Sequence, residues 1–430
     1  MHDGRSADLG VSSTAGRALW MSTLAFTVCF AVWTIFSIIG VRIKDELGLS
    51  ETEFGLLIGT PILTGSLSRI FLGIWTDRYG GRLVFALTML ATSLATLLLA
   101  FAHTYGQVLA AALGVGLAGG SFAVGVAYVS RFYPQQRQGT ALGIFGVGNV
   151  GAAVTKFAAP FVLLAWGWQA VALVWAAALI VMAAVFYVTT VDDPVLVARR
   201  RSGAPCKPIT LELSALRDVR VWRFAYYYFF VFGAFVALTL WLPRYLIGVY
   251  GFDIATAGMI GALYSIPASI FRAYGGVLSD RIGARKVMYW SLGVSAIATL
   301  ILSLPTYVMR GIKGDIASHF EIGVAAFIGT AFVLGFFMSL GKAAVFKQIA
   351  SHYPDNVGAV GGLVGMIGGL GGFVLPIAFG ALNDLTGLWS SCFMLLFAVV
   401  TAALVWMDVS VRRIEQRSRA PLQQSIVAAE

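Results

Sequence analysis

This chain of 430 residues is 59% hydrophobic and only 12% charged, about half the roughly 25% charge of a soluble protein. Apolar runs of about 18 residues or more recur along its whole length, which reads as a polytopic helical membrane protein; the runs are too long and too little alternating for barrel strands. The net charge of +10 therefore points to cytoplasmic loops rather than to nucleic-acid binding.

The first run, residues 18–40, exceeds a signal-peptide core and has no small-residue cleavage site after it, so it reads as a retained membrane helix. The second, 54–75, contains Arg69 and Gly73 and leads into a polar loop with Asp77, Arg78, Gly80 and Arg82. Spans at 83–102, 106–130, 139–163 and 168–190 follow, with Phe122 in the fourth and Asn149 and Lys156 in the fifth. A basic segment, Asp192 to Arg223, holds Arg199, Arg200, Arg201, Lys207, Arg217 and Arg220. Beyond it come 222–248 with Tyr228, 256–279 with Arg272, 287–306, 323–348 with Lys342, 358–382 and 388–408. The tail adds Arg412, Arg413, Arg417 and Arg419. Twelve spans put both termini and the basic segment on one side, and the excess of Lys and Arg makes that side the cytoplasm of an inner-membrane protein. The expected divisions are an N-terminal six-helix half (1–190), a cytoplasmic linker (191–221), a C-terminal six-helix half (222–408) and a cytoplasmic tail (409–430). Cys29, Cys206 and Cys392 are too scattered to suggest a disulfide framework or a metal site.

The two halves repeat. Arg69, Gly73, Asp77, Arg78, Gly80 and Arg82 recur as Arg272, Gly276, Asp280, Arg281, Gly283 and Arg285, each pair 203 residues apart. Tyr133-Pro134 recurs as Tyr353-Pro354 at a spacing of 220, the excess lying in the polar segment 307–321. Parallel six-helix repeats are a transporter signature. "GIWTDRYGGR" and "GVLSDRIGAR" resemble the loop motif of the major facilitator superfamily. The resemblance implies an all-α membrane fold of two pseudo-symmetric halves, with the motif loops acting as gates.

Arg69 and Arg272 sit inside apolar spans, where a guanidinium costs at least about 2.5–3.5 kcal/mol and cannot deprotonate. The predicted spans offer almost no carboxylate to either, while the interior adds Lys156, Lys342 and Lys347. The missing negative charge is therefore expected from an anionic cargo, held between two planar forks that the repeat brings face to face. Snorkelling of each arginine toward its own helix end is the competing reading.

Two glycine-rich runs complete the pattern: Gly143 to Pro160, with Gly146, Gly148 and Gly151, and Gly361 to Pro376, with Gly365, Gly368 and Gly369. Close helix packing explains such glycines as well as ligand access does. Together with the matched arginines, these runs resemble the paired signatures of the nitrate/nitrite porter family. That resemblance implies nitrate or nitrite as substrate, gripped by Arg69 and Arg272, coordinated by Asn149 and clamped by Phe122 and Tyr228, with Tyr226 and Tyr227 as near alternatives. It also places Lys156 and Lys342 toward the proton-coupled branch, since a desolvated lysine can titrate where an arginine cannot; the alternative role for both is to snorkel or only to strengthen the field that attracts the anion. Nitrate/proton symport is thus the leading expectation, with nitrate/nitrite exchange, or a carrier or sensor for another small anion, as alternatives. An enzyme is least expected, for the interior has no paired carboxylates, metal-ligand cluster or activated nucleophile. A monomer without cofactor or metal, in contact with lipid, anion and, under symport, protons, is the expected unit.

Overall fold

A computed structural model describes residues 10–202, 218–304, 307–310, 316–320, 322–353 and 357–427. Cys206, Lys207, Arg217 and Pro354 lie outside the described residues, as do the side chains of Asp77, Arg199, Arg200, Arg417 and Arg419.

The first crossing is α1 (Gly10–Trp33) continued by α2 (Phe36–Leu47), and the second is α3 (Glu51–Tyr79). Then come α4 (Gly81–Leu99), α5 (Tyr105–Val115) with α6 (Leu117–Ser130), and α7 (Gln135–Gly146), which passes through a 3₁₀ turn (Val147–Val150) into α8 (Gly151–Thr189). Short helix α9 (Pro194–Ser202) follows. The second half starts with α10 (Val219–Tyr228), a π-helical turn (Phe229–Ala234) and α11 (Phe235–Tyr250). It continues through α12 (Ile254–Ile270), α13 (Arg272–Ile282), α14 (Ala284–Leu302), α15 (Val324–His352), α16 (Val357–Thr386) and α17 (Ser391–Val427). The polar segment between α14 and α15 carries a short antiparallel hairpin, β1 (Tyr307–Arg310) with β2 (Ile316–Phe320), the one pair of strands among the described residues.

Ten stretches among the described residues are long and apolar enough to cross a membrane. One of them, Ala141–Thr189, is 49 residues long and breaks at Gly167 (φ 84°, ψ 170°). At 1.5 Å per residue it is far longer than the roughly 30 Å hydrocarbon layer, so it makes two crossings. The twelfth is α14, which the polar residues Arg285, Lys286, Ser291 and Ser295 make less apolar than its neighbours. All twelve expected spans thus have a helix.

Local chemistry explains where the helices start and stop. Ser50 and Glu53 form a reciprocal capping box at α3, and Thr104 and Gln107 form another at α5. Asp253 caps α12, where hydrogen bonds from the Thr256 side chain and backbone hold its carboxyl below the usual range. The loop motif repeats in three dimensions. Gly80 (φ 94°) and Gly283 (φ 89°) make equivalent one-residue turns, α3 to α4 and α13 to α14, in a conformation that only glycine adopts freely. Gly73 and Gly276, by contrast, face open space.

Across the halves, α3 packs along α16, and α8 packs on α12. A Cβ at Gly59 would lie 2.9 Å from the Phe373 carbonyl oxygen, so the α3–α16 approach depends on a residue without a side chain.

Candidate anion-binding site

Arg69 and Arg272 do not reach solvent at either end; they are 5% and 7% exposed. Both turn toward one ring. The Arg69 guanidinium carbon is 5.5 Å from the Phe122 centroid and that of Arg272 is 5.4 Å from it, so the charges are separated by no more than the sum of those distances. Snorkelling is thereby set aside. Among the described residues neither arginine makes an ion pair with a carboxylate.

Aromatic faces surround the pair. Arg69 also lies 5.4 Å from Phe232 and 6.0 Å from Trp33, and Arg272 lies 5.8 Å from Phe346. Desolvated cation–π contacts are worth about 2 kcal/mol each, enough to offset part of the burial cost but not to supply a counter-charge. Tyr228 links the two sides: its ring stacks on Phe232 at 5.0 Å and meets Phe346 edge-on at 5.1 Å. Its neighbours go elsewhere. Tyr226 donates to the Val399 carbonyl, and Tyr227 lines a cavity of about 260 Å³ at the end of the molecule that bears the basic loops. That cavity, between α10, the start of α14, the end of α15 and the middle of α17, contains neither arginine.

The glycine runs cross over between the halves. A Cβ on Gly146, in α7, would sit 3.2 Å from the Arg272 side chain. In α16, a Cβ on Gly365 or Gly369 would sit 3.6 or 3.5 Å from Arg69 Nη1, and Gly368 abuts Tyr228. Each signature therefore cradles the arginine of the opposite half, and Arg69 Nη1 donates to the Gly365 carbonyl at 2.7 Å. Gly148 and Gly151 pack instead against α1, at Phe26, Thr27 and Ala31, which is plain helix packing.

Polar atoms at this centre lack protein partners. Arg69 Nε, Arg272 Nη1, both amide atoms of Asn149 and the Tyr228 hydroxyl are buried without a hydrogen bond among the described residues. An unsatisfied buried polar group costs about 1–3 kcal/mol, more for a charge, so each of these atoms has an unmet capacity for a partner. The backbone is irregular there too. Asn149 lies in the 3₁₀ turn, Tyr228 precedes the π-helical turn, and Arg272 follows a break at Phe271 (ψ 2°). Such irregularity within a bilayer is tolerated where it lines a site.

Lys156 and Lys342 are fully buried, and each amine has acceptors of its own. Lys156 Nζ, from the first half, donates to the Gly261 carbonyl at 3.2 Å and to the Ser265 hydroxyl, both on α12 of the second half. Lys342 Nζ donates to the Ala268 carbonyl at 2.7 Å and sits 3.4 Å above the Phe235 ring. Lys347 is at the basic end, paired with Asp280 at 2.5 Å. Arg285 pairs with Glu415, and Arg82 donates to the Tyr187 carbonyl, so these loop-motif contacts remain inside their own halves.

The far end holds a carboxylate that the sequence reading passed over. Glu51, just outside the predicted second span, starts α3 and is buried. Arg244 of α11 clamps it with Nη2 at 2.5 Å and Nε at 3.1 Å, and Lys44 lies 3.5 Å away. Asp384, at the end of α16, accepts from the Glu51 and Thr52 backbone N–H groups at 3.1 and 2.8 Å. Charged contacts thus bolt the halves together at this end. The nearest signal in the chain is the Ser50-x-x-Glu53 spacing, which can mark a helix start but not the partner of Glu51.

A buried pair of guanidiniums, one from each half of a twelve-helix bundle with repeated loop turns, coincides with what family comparison finds. The family model for the Major Facilitator Superfamily matches residues 21–263 and 250–428. A Thermus thermophilus protein named "Probable nitrate/nitrite antiporter NarK1" is 42% identical over 95% of this chain and 94% of its own. The chain belongs to the nitrate/nitrite porter family of the major facilitator superfamily. "Probable nitrate/nitrite transporter NarK2" of Mycobacterium tuberculosis is 33% identical over 87% of this chain and 90% of its own. The "Nitrite extrusion protein" of Bacillus subtilis is 29% identical over 90% and 93%. Among solved structures, a bacterial homolog of the human lysosomal transporter Spinster superposes with a TM-score of 0.70 at 16% identity, covering 93% of this chain and 97% of that one. The fold is that of a major facilitator, a transporter and not an enzyme.

Proposed function

We propose that this porter carries nitrate, and nitrite with it, across the cell inner membrane by alternating access, taking the anion between Arg69 and Arg272. The observation that carries this reading is the pair of guanidiniums flanking Phe122 without a carboxylate partner among the described residues. A small flat oxyanion suits their free Nε and Nη1 donors, the Asn149 amide and the Tyr228 hydroxyl, and its charge neutralises the pair while the halves reorient. The aromatic faces and glycine backbones around the pair favour a small flat ion over a bulky ester. The divisions 1–190, 191–221, 222–408 and 409–430 are the moving units and connectors of this scheme, a monomer serves as the working unit, and the basic segments place both termini in the cytoplasm.

Coupling to protons is the favoured driving mode. Lys156 is a fully buried amine whose acceptors are neutral, and it bridges the halves through α12, the helix that leads into Arg272. An amine can give up its proton where a guanidinium cannot, so protonation of Lys156 is positioned to act on the half-interface. Lys342 acts on the same helix. Exchange of nitrate for nitrite is the second reading, suited to a site whose arginines are neutralised equally by either anion.

The deciding experiment uses purified protein in liposomes, with labelled nitrate outside. Uptake driven by an inward proton gradient supports symport; uptake requiring internal nitrite supports exchange; uptake of neither anion under either condition overturns the reading. Lys156→Met is expected to lose gradient-driven accumulation while nitrate binding by calorimetry persists. Accumulation at the wild-type level in that variant removes Lys156 from coupling.

A further inference from the structure

We infer that the Ser66 hydroxyl is a further substrate-positioning group, donating to the anion beside Arg69 and discriminating nitrate from nitrite; this rests on the transport reading above. Ser66 is fully buried in α3, one turn before Arg69 and hence on the same helix face. Its Oγ has no hydrogen-bond partner among the described residues. Buried hydroxyls on helices of this chain commonly bond the carbonyl one turn back, as Thr60, Thr76 and Ser279 do. Other hydroxyls are unpartnered as well, Ser37 and Ser295 among them, but Ser66 is set apart by its surroundings. The position a Cβ would occupy on Gly369 is 2.5 Å from Ser66 Oγ and 3.5 Å from Arg69 Nη1, so hydroxyl and guanidinium lie side by side against the same side-chain-free stretch of α16.

The repeat sharpens the inference. Ser269 stands 203 residues on, in the same relation to Arg272, yet its hydroxyl is satisfied by the Ser265 carbonyl at 2.7 Å. Arg69 in turn commits Nη1 to the Gly365 carbonyl and leaves Nε open, whereas Arg272 has Nη1 open. The first half therefore has one guanidinium arm engaged and one spare hydroxyl, and the second half has the opposite. With two arginines taking two oxygens, the added hydroxyl serves the third, which nitrate has and nitrite lacks.

The test compares Ser66→Ala and Ser269→Ala with wild type in liposomes, for nitrate and for nitrite, alongside the Tm in detergent. Ser66→Ala is expected to raise KM for nitrate about tenfold or more, the usual loss for one hydrogen bond to a charged partner. The expected effect on nitrite is smaller, with Vmax and Tm unchanged, and Ser269→Ala should leave both KM values alone. An unchanged nitrate KM in Ser66→Ala, an equal rise for both anions, or a rise matched by a drop in Tm overturns the assignment while the transport reading stands. Wild-type protein that moves neither anion overturns the transport reading instead.

Discussion

Arg69→Lys and Arg272→Lys should each abolish transport in a protein that still folds and inserts. Lysine keeps the charge, so the electrostatic field around Phe122 survives. What disappears is the planar fork: an ammonium is a point charge on a flexible stem and cannot present two parallel donors to a flat anion. Arg69 would also lose the Nη1 bond that ties it to the Gly365 carbonyl and holds it across the half-interface. Two charge-assisted bonds at about 1.5–3 kcal/mol each place the loss in affinity at more than a hundredfold. Nitrate uptake in liposomes, with size-exclusion profiles as the folding control, checks this. Full activity in either variant would remove that arginine from the site.

The second large effect is expected at the far end. Glu51→Gln removes the charge that Arg244 clamps and leaves the guanidinium partly buried beside Trp389, whose ring is 5.0 Å away. Breaking one partner from a buried pair costs about 3–5 kcal/mol. The loss falls on the arrangement in which this end is shut, so its population should drop more than a hundredfold relative to the arrangement in which the end is open. Cysteines placed on either side of the seam, read by spin-label distances or by thiol accessibility, should show the far end opening, and steady uptake should fall because the closed state is rarely reached. Exchanging the charges, Glu51→Arg with Arg244→Glu, should recover part of the closure. Unaltered accessibility in Glu51→Gln would show that the ion pair does not hold this end.

Much of the site could be read from the chain itself because its logic is one of repetition and cost. A guanidinium in an apolar span at two matching positions calls for a counter-charge, whatever the surrounding geometry, and Arg69 and Arg272 both lie against Phe122, with Tyr228 packed on the rings beside them. Choosing Tyr228 over Tyr226 and Tyr227 was harder. Three consecutive tyrosines point in three directions around a helix, and only the packing of α10 against α15, α16 and α17 distinguishes them. Lys342 is equivalent to Phe122 in the repeat, 220 residues on, and its amine donates to the Ala268 carbonyl. Repeat equivalence constrains where a backbone lies and says little about where a long, flexible side chain settles.

Hydrophobic run length, positive charge in loops and the spacing of 203 residues were sufficient to establish twelve helices in two halves, since the bilayer permits no other use of such segments. Which half's glycines cradle which arginine, and that Glu51 meets Arg244 across 193 residues, depended on tertiary structure alone. Those contacts join segments remote in the chain through side-chain direction and close backbone approach, and neither quantity is encoded in local pattern.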